Sequence, residues 1–462
     1  MWIYGAFRVA RMSELRYSGA LKKKVSMNII SIGILGGGTV GSGVARVLDS
    51  NISTIQAQLG ARLEIRGVAV NDLSKERDES LSSIALTDDP MTIINDPEIS
   101  IIVELIGGVE TAGELILQAI RKKKHIVTAN KALLASRGAE IFAVASEYGV
   151  DVFYEGAVGG GIPIIRALRE SLSSERIVRI QGIVNGTTNF ILSAMTNSGA
   201  DYDATLRKAM ELGYAEADPT ADVGGHDAAQ KLSILSTLAF RCVVHERDVS
   251  VEGIEQIDQV DIALASKYGY TIKPLAVGER QHDNISVGVF PAWVSNNSML
   301  AHVNDVFNAV LVESEALGES MFYGQGAGQL PTGSAVLADI IDMARNIRSQ
   351  AAGRVPHLAI QDAQIKPGNI SAIEDVESGY YLRFSVKDEP GVLGKIATIL
   401  GEEGLSLRIV DQEIAQDVGT DGVPIVALTH SVKASALSAA IERIDQLVTT
   451  VKPTRAMRLV GG

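Results

Sequence analysis

From Met27 onward, short apolar runs alternate with longer mixed stretches. MNIISIGILGGG is an apolar strand that runs into a glycine turn, and a helix follows from Val40 to about Gln58. LEIRGVAVN, SIIVELIGG, HIVTANK and GVDVFYEGAVGGG repeat the form, each a β-branched run ending in polar residues or glycine. Helical stretches such as TAGELILQAIRKKK lie between them. Strands alternating with helices predict a parallel, doubly wound α/β sheet. Its strands read as continuous apolar runs because both faces are covered.

The texture changes after Gly161. IPIIRALRESL reads as a helix, and RIVRIQGIVNGTTNFILSAM opens a longer α+β region. Strands are predicted near Tyr270–Val277 and Ile285–Val294. The glycine-rich YGQGAGQLPTGSAV leads into a helix through Met343, expected to pack back on the first domain. Residues 350–378 read as a linker. From about Tyr380 the order is strand, helix, strand, strand, helix, strand. The expected boundaries are therefore 27–160, 161–330 with a returning helix near 331–349, and 379–462.

Composition narrows the classes. The 462 residues allow two or three domains with a sizeable core. A formal net charge of -13 argues against nucleic acid, since affinity for phosphates comes mainly from Lys and Arg. No apolar run is long enough to span a bilayer. The single cysteine, Cys242, excludes an internal disulfide and a cysteine metal cluster, and fits a reducing, cytoplasmic setting. Residues 1–26 carry six basic residues against Glu14 alone. A transit peptide is one reading. The simpler one is a disordered tail or an upstream start codon, with Met27 opening the folded part.

The glycine turn holds the first candidate chemistry. GILGGGTVGSGV fits G-x-G-x-x-G with Gly36, Gly38 and Gly41, between a strand and a helix and with a further strand next. Side chains at Gly36 and Gly38 would hold a pyrophosphate away from the backbone, whereas Gly41 allows close helix–strand packing. Phosphates would then meet the free N–H groups at the helix start, around Thr39 and Val40. A plain tight turn is the alternative. The second strand ends in Asn71-Asp72, with Lys75 and Arg77 just beyond. An acid there suits the ribose of NAD and a cation suits the 2′-phosphate of NADP, so the cofactor stays open.

The second candidate is GYAEADPTADVGGHDAAQKL, which gathers Glu216, Asp218, Asp222, Asp227 and Lys231. Asp227 falls near a helix start and Lys231 four residues later, on the same face. An ordinary surface ion pair explains the spacing as well as an amino-acid site with a proton-relaying lysine. Lys131, in TANKALLA, lies just past a strand's carboxyl end, where open α/β sheets bind ligands.

Taken together, GILGGGTVG, VELIGG, HIVTANKALLA, YEGAVGGGIPII, GIVNGTTNFIL, LGYAEADPTADVGGHDAAQKL and GQGAGQLPTGSAV resemble homoserine dehydrogenase. The motifs occur in order over residues 27 to about 345. The tail from YLRFSVKDEPGVLG looks like an ACT domain, a small βαββαβ module that often binds amino acids. The resemblance is to the monofunctional form, because no kinase segment precedes the glycine turn. It implies hydride transfer between L-homoserine and L-aspartate 4-semialdehyde with NADP or NAD, on the route to threonine, methionine and isoleucine. It assigns Lys231 as proton donor, Lys131 as the second active-site lysine, and Glu216, Asp222 and Asp227 to the substrate pocket. Gly213 and Gly328 would line the cofactor. A sodium ion would sit at Glu155, Val158, Gly160 and Ile162, a homodimer is expected, and threonine is the expected effector, at the turn around Gly391. Asn71, Gly224 and Gln230 depart from the Arg, Glu and His of many relatives.

Two rivals remain. An acyl-enzyme semialdehyde dehydrogenase needs a cysteine nucleophile, and Cys242 in LAFRCVVHE reads as buried and inert. An amino-acid sensor on a redox-blind scaffold would have no use for Lys131, Asp227 and Lys231 together.

Overall fold

The computed structural model describes residues 28–412 and 422–461. The N-terminal extension at 1–26 lies outside them. The first unit runs β1 (Ile29–Leu35), α1 (Thr39–Leu59), β2 (Arg62–Ala69), β3 (Leu86–Thr87), α2 (Pro90–Asn95), β4 (Ile99–Glu104), α3 (Glu110–Arg121), β5 (His125–Thr128), α4 (Lys131–Tyr148) and β6 (Val152–Phe153). Its strands form one parallel sheet in the order β3-β2-β1-β4-β5-β6. This is the doubly wound order in which connections on either side of β1 and β4 run in opposite directions. A crevice opens there, at the carboxyl ends of the strands. Ile32, Ile34, Ile101 and Val103 are fully buried, as strands covered on both faces require.

The second unit contains α5 (Ile164–Arg166), β7 (Ile177–Ile183), α6 (Gly186–Ser198), α7 (Tyr202–Glu211), α8 (Thr220–Val223) and α9 (His226–Phe240). It continues through β8 (Ser250–Val251), α10 (Gln259–Lys267), β9 (Tyr270–Gln281), β10 (Asn284–Ser295), β11 (Phe307–Ser314) and β12 (Gly318–Gln325). The stretch expected as one helix at IPIIRALRESL is a single α-turn that widens into a π-turn over Ala167–Ser171. α11 (Gln329–Ser349) then returns to the first unit and lies along α1. Val336, Leu337, Ile340 and Met343 join the core beneath β1 and β4. Gly43 of α1 and Gly333 of α11 make the close approach possible: a Cβ at Gly333 would lie 2.7 Å from the Gly43 carbonyl carbon.

The last unit is β13 (Glu377–Val386), α12 (Val392–Glu402), β14 (Leu407–Gln412), β15 (Val423–Thr429), β16 (Val432–Lys433), α13 (Ala434–Asp445) and β17 (Thr450–Val460). This sheet is not separate. β17 pairs antiparallel with β13 on one side and parallel with β10 on the other, through Ala292↔Arg458 to Val294↔Val460. The strand order among the described residues is therefore β12-β11-β7-β9-β10-β17-β13-β15-β14. Trp293 of β10 stacks on Tyr381 of β13 with centroids 4.0 Å apart, inside one core shared by both units.

The segment 350–378, expected as a linker, is strapped to the body. Tyr154 Oη donates to the His357 carbonyl at 2.7 Å, and His357 stacks on Phe142. Short bridges join Pro367 to Val243 and Ile370 to Ile285.

Candidate active site

The crevice begins at the glycine turn. Gly36 follows β1 with φ +112°, a left-handed conformation open to glycine at little cost. A Cβ there would lie 2.6 Å from the Leu105 carbonyl oxygen, just past β4. Gly36 is therefore needed for the passage between neighbouring strand ends, rather than for ligand clearance as the motif alone implies. Gly38 is the open position, since a Cβ there would meet nothing within 4 Å. Gly41 is the packing position, where a Cβ would lie 2.2 Å from the Gly36 carbonyl oxygen. Thr39 and Val40 open α1, whose first N–H groups and dipole face whatever lies over Gly38.

A cavity of about 230 Å³ extends from Gly36 and Gly38 to Asn71, Asp72, Lys75 and Arg77. Asp72 accepts from the Ser74 amide and hydroxyl, and these hydrogen bonds hold its carboxyl below the usual carboxylate range. Arg77 Nη2 donates to the Asp72 carbonyl at 2.5 Å, while its Nε is buried without a partner. Gly328 precedes α11 across the turn, and Gln329 reaches Ser42 Oγ at 2.9 Å and Asp78 at 3.1 Å. Gly213, after α7, does not line this cavity.

The strand ends beside the turn are tied by a buried acid. Glu104, at the end of β4, accepts from the Ile106 and Gly107 amides and from the Thr128 hydroxyl at 2.7 Å. Thr128 in turn receives the Asn130 amide. Asn130 caps α4 through the Leu133 amide, so Lys131 stands at the first helical position.

Across the crevice, α9 presents the second cluster. Asp227 lies in its first turn and Lys231 one turn on. Lys231 Nζ is 2.6 Å from Asp227 Oδ2 and donates to the Val184 carbonyl at 2.7 Å. Lys131 Nζ, from the other unit, is 3.4 Å from Asp227 Oδ1. Asn185 donates through Nδ2 to Asp222 at 2.7 Å and to Asp227 at 2.9 Å, while its Oδ1 caps α6. Side-chain exposure is 11% for Asp227 and 13% for Lys231, so this is not the solvated surface pair that the spacing alone allows. Burial opposes ionisation of Asp227, but the charges of Lys231 and Lys131 and two hydrogen bonds outweigh it and lower its pKa to about 2. Burial pushes the neighbouring Asp222 the other way, upward.

The structure thus brings Lys131, Asp222, Asp227 and Lys231 together. Glu216 is exposed on the loop after α7 and has no hydrogen bond or ion pair to the cluster among the described residues. Asn185 was not singled out from the sequence. Its only signal was a place in VNGTTNF, where an Asn before Gly reads as a turn.

Glu155, Val158, Gly160 and Ile162 lie on the buried turn between β6 and α5. The Val158 and Gly160 carbonyls accept no backbone hydrogen bond among the described residues, whereas that of Ile162 accepts from Ile164. The Glu155 carboxylate is engaged by the Ile165 and Arg166 amides at 2.8 Å each. Cys242 is half-buried, and burial raises the pKa of its thiol. The charge of Arg280 acts the other way but does not outweigh burial, so the thiol is not the activated nucleophile an acyl-enzyme needs.

A doubly wound sheet with an open glycine turn, and two lysines brought onto Asp227 from opposite sides of its crevice, is the arrangement of a dinucleotide-dependent enzyme. Family comparison makes the assignment specific. The model described as "Homoserine dehydrogenase, NAD binding domain" matches residues 36–155, "Homoserine dehydrogenase" matches 163–341, and "ACT domain" matches 380–449. A homoserine dehydrogenase of Neisseria gonorrhoeae is 45% identical over 434 residues, covering 94% of this chain and 99% of that protein. One from Bacillus subtilis is 40% identical, with 94% and 99% covered. The crystal structure of a homoserine dehydrogenase from Thiobacillus denitrificans superposes with a TM-score of 0.89 at 43% identity, covering 94% of this chain and 98% of that one. A hyperthermophilic archaeal homoserine dehydrogenase in complex with NADPH gives 0.56 at 26% identity, covering 68% and 97%. The chain belongs to the homoserine dehydrogenase family.

Proposed function

We propose that the chain interconverts L-homoserine and L-aspartate 4-semialdehyde, with Lys231 as the proton donor and acceptor at the reacting oxygen. One observation carries this reading: Lys231 holds two hydrogen bonds, to Asp227 and to the Val184 carbonyl, and an ammonium has three protons. The third is left for a substrate oxygen. As the aldehyde is reduced, negative charge develops on that oxygen, and a cation already held in place stabilises and protonates it. Lys131 adds a second positive charge on the cofactor side. Asp222 and Asp227, bridged by Asn185, attract the substrate's ammonium, and resemblance adds Glu216 to the same pocket. The bound nicotinamide supplies or accepts the hydride.

We further propose NADP(H) as the preferred cofactor. Thr39 and Val40 offer amides to the pyrophosphate, Gly38 leaves it room, and Gly213 and Gly328 are assigned to the same cofactor by resemblance. Asn71 and Lys75 flank the ribose end. Lys75 and Arg77 line the cavity at this end and support a 2′-phosphate, while one oxygen of Asp72, Oδ1, is taken up by Ser74. Homoserine oxidation followed with NADP and NAD side by side tests both proposals. A higher kcat/KM with NADP is expected; a clear preference for NAD would overturn the cofactor assignment, and no turnover with either would overturn the reaction.

The free Val158 and Gly160 carbonyls support a sodium ion on the Glu155–Ile162 turn, since such an ion takes main-chain oxygens readily. A homodimer and a threonine effector at the ACT segment follow from the resemblance, and the single cysteine supports a reducing, cytoplasmic setting. No described helix is long and apolar enough to cross a membrane.

A further inference from the structure

The carboxyl ends of β4 and β5 are joined by a closed ring of hydrogen bonds. Glu104 Oε2 accepts from the Thr128 hydroxyl at 2.7 Å, and Thr128 Oγ1 accepts from the Asn130 amide at 3.0 Å. Asn130 Nδ2 donates to the Gly108 carbonyl at 2.7 Å. The loop then leads back, because Glu104 Oε1 accepts from the Ile106 and Gly107 amides at 2.9 and 3.2 Å. Glu104 and Thr128 are fully buried and Asn130 nearly so.

A carboxylate is an expensive choice for such a place. Its hydrogen bonds come from two amides and a hydroxyl, none of them from a cation. A buried charge held by neutral donors alone is costly to keep, and joining two strand ends does not require one. What lies on either side of the ring gives it a use. Leu105 and Ile106, beside Oε1, line the dinucleotide cavity. Gly107 and Gly108 follow with φ +74° and +73°, and a Cβ on either would meet nothing within 4 Å, so this loop borders open space. On the other side Asn130, held from Oε2 through Thr128, caps α4 through the Leu133 amide. The next residue is Lys131, whose Nζ lies 3.4 Å from Asp227 Oδ1.

The two oxygens of Glu104 have different tasks. Two amide donors face Oε1, and the carbonyl of a Gln would serve them equally. Oε2 faces a hydroxyl whose oxygen already receives the Asn130 amide. A Gln would put a second donor on that oxygen and leave the hydroxyl proton unpaired in the interior. We infer that Glu104 is a positioning residue for the reaction: through Thr128 and Asn130 it fixes the start of α4, and so the placement of the Lys131 ammonium against Asp227. The inference rests on the role of Lys131 in the proposed reaction.

Kinetics of Glu104→Gln, Thr128→Val and Thr128→Ser, beside NADPH titration, test it, with the first two repeated on Lys131→Ala. Glu104→Gln and Thr128→Val should each lower kcat/KM for homoserine about tenfold, the worth of one hydrogen bond to a charged group. Thr128→Ser, which keeps the hydroxyl, should lose less than Thr128→Val. The Kd for NADPH should be unchanged in Glu104→Gln, whose amide oxygen still holds the loop. On Lys131→Ala neither substitution should lower kcat/KM further, because residues that act through one group are not additive. A readout without substrate or cofactor is the rate at which acetic anhydride acylates Lys131 in the free protein, followed by peptide mass spectrometry. The Lys131 side chain is 37% exposed, and loosened from Asp227 it should react faster in Glu104→Gln. Should Glu104→Gln fail to fold, Thr128→Val carries the same comparisons. Unchanged kcat/KM, a loss repeated in full on Lys131→Ala, a Kd for NADPH weakened as much as kcat/KM, or an unchanged acylation rate would each overturn the inference and leave the reaction standing. Lys131→Ala turning over like the parent chain would overturn the role of Lys131, and the inference with it.

Discussion

Asp227 holds three partners at once: Lys131 from the dinucleotide-binding unit, Lys231 from its own helix, and Asn185 from the start of α6. That arrangement fixes where both ammonium groups point. Asn185 is the less obvious member, because one amide both caps a helix and bridges two carboxylates. Replacement by Ser separates these roles, since Ser also caps helices well but cannot reach both acids. Asn185→Ser is expected to keep its melting temperature within a few degrees and to lose about tenfold in kcat/KM, the worth of a hydrogen bond to a charged group. Steady-state kinetics beside thermal unfolding checks this; a large drop in stability with unchanged kinetics would make Asn185 purely structural. Asp227 and Lys231 were legible from an i,i+4 spacing in a polar stretch. Their burial was not, because it depends on Val184 and Lys131, 47 and 96 residues away by their numbering. Neither was the engagement of Glu104 with Thr128, which joins two strand ends across the sheet.

Among the elements, β1, its glycine turn and α1 show which parts of a motif bear on ligand and which on packing. Gly38 borders open space and Gly41 touches backbone. Gly38→Ala should therefore leave stability within about 0.5 kcal/mol, as for surface changes away from special features. It should still weaken cofactor binding. Gly41→Ala should destabilise the fold by about 1–3 kcal/mol, because the added methyl meets the Gly36 carbonyl. Denaturant unfolding and cofactor titration of the two variants separate the effects, and equal destabilisation by both would contradict the assignment. The strands and helices of this unit were readable because each obeys a local period. The π-turn at Ala167–Ser171 and the straps over 350–378 were not, because distant partners such as Glu155, Tyr154 and Val243 set them.

At the scale of the whole molecule, the ACT segment is built into the catalytic body. β17 lies between β13 and β10, and Trp293 and Tyr381 share one core. Periodicity predicted six of this segment's seven elements in order, all but the two-residue β16, but pairing between β17 and a strand that begins at Asn284 has no local signature. A consequence is joint unfolding. Scanning calorimetry should show the ACT segment and the α+β unit melting in a single transition, as one continuous sheet requires. A separate, earlier transition belonging to residues 379–461 would contradict this.

The proton-transfer role of Lys231 is tested most directly by kcat for homoserine oxidation in Lys231→Ala, measured beside the Kd for NADPH. A fall of at least about a hundredfold in kcat, the usual worth of a positioned acid–base group, with cofactor affinity unchanged is the predicted result. Turnover equal to that of the parent chain would contradict it.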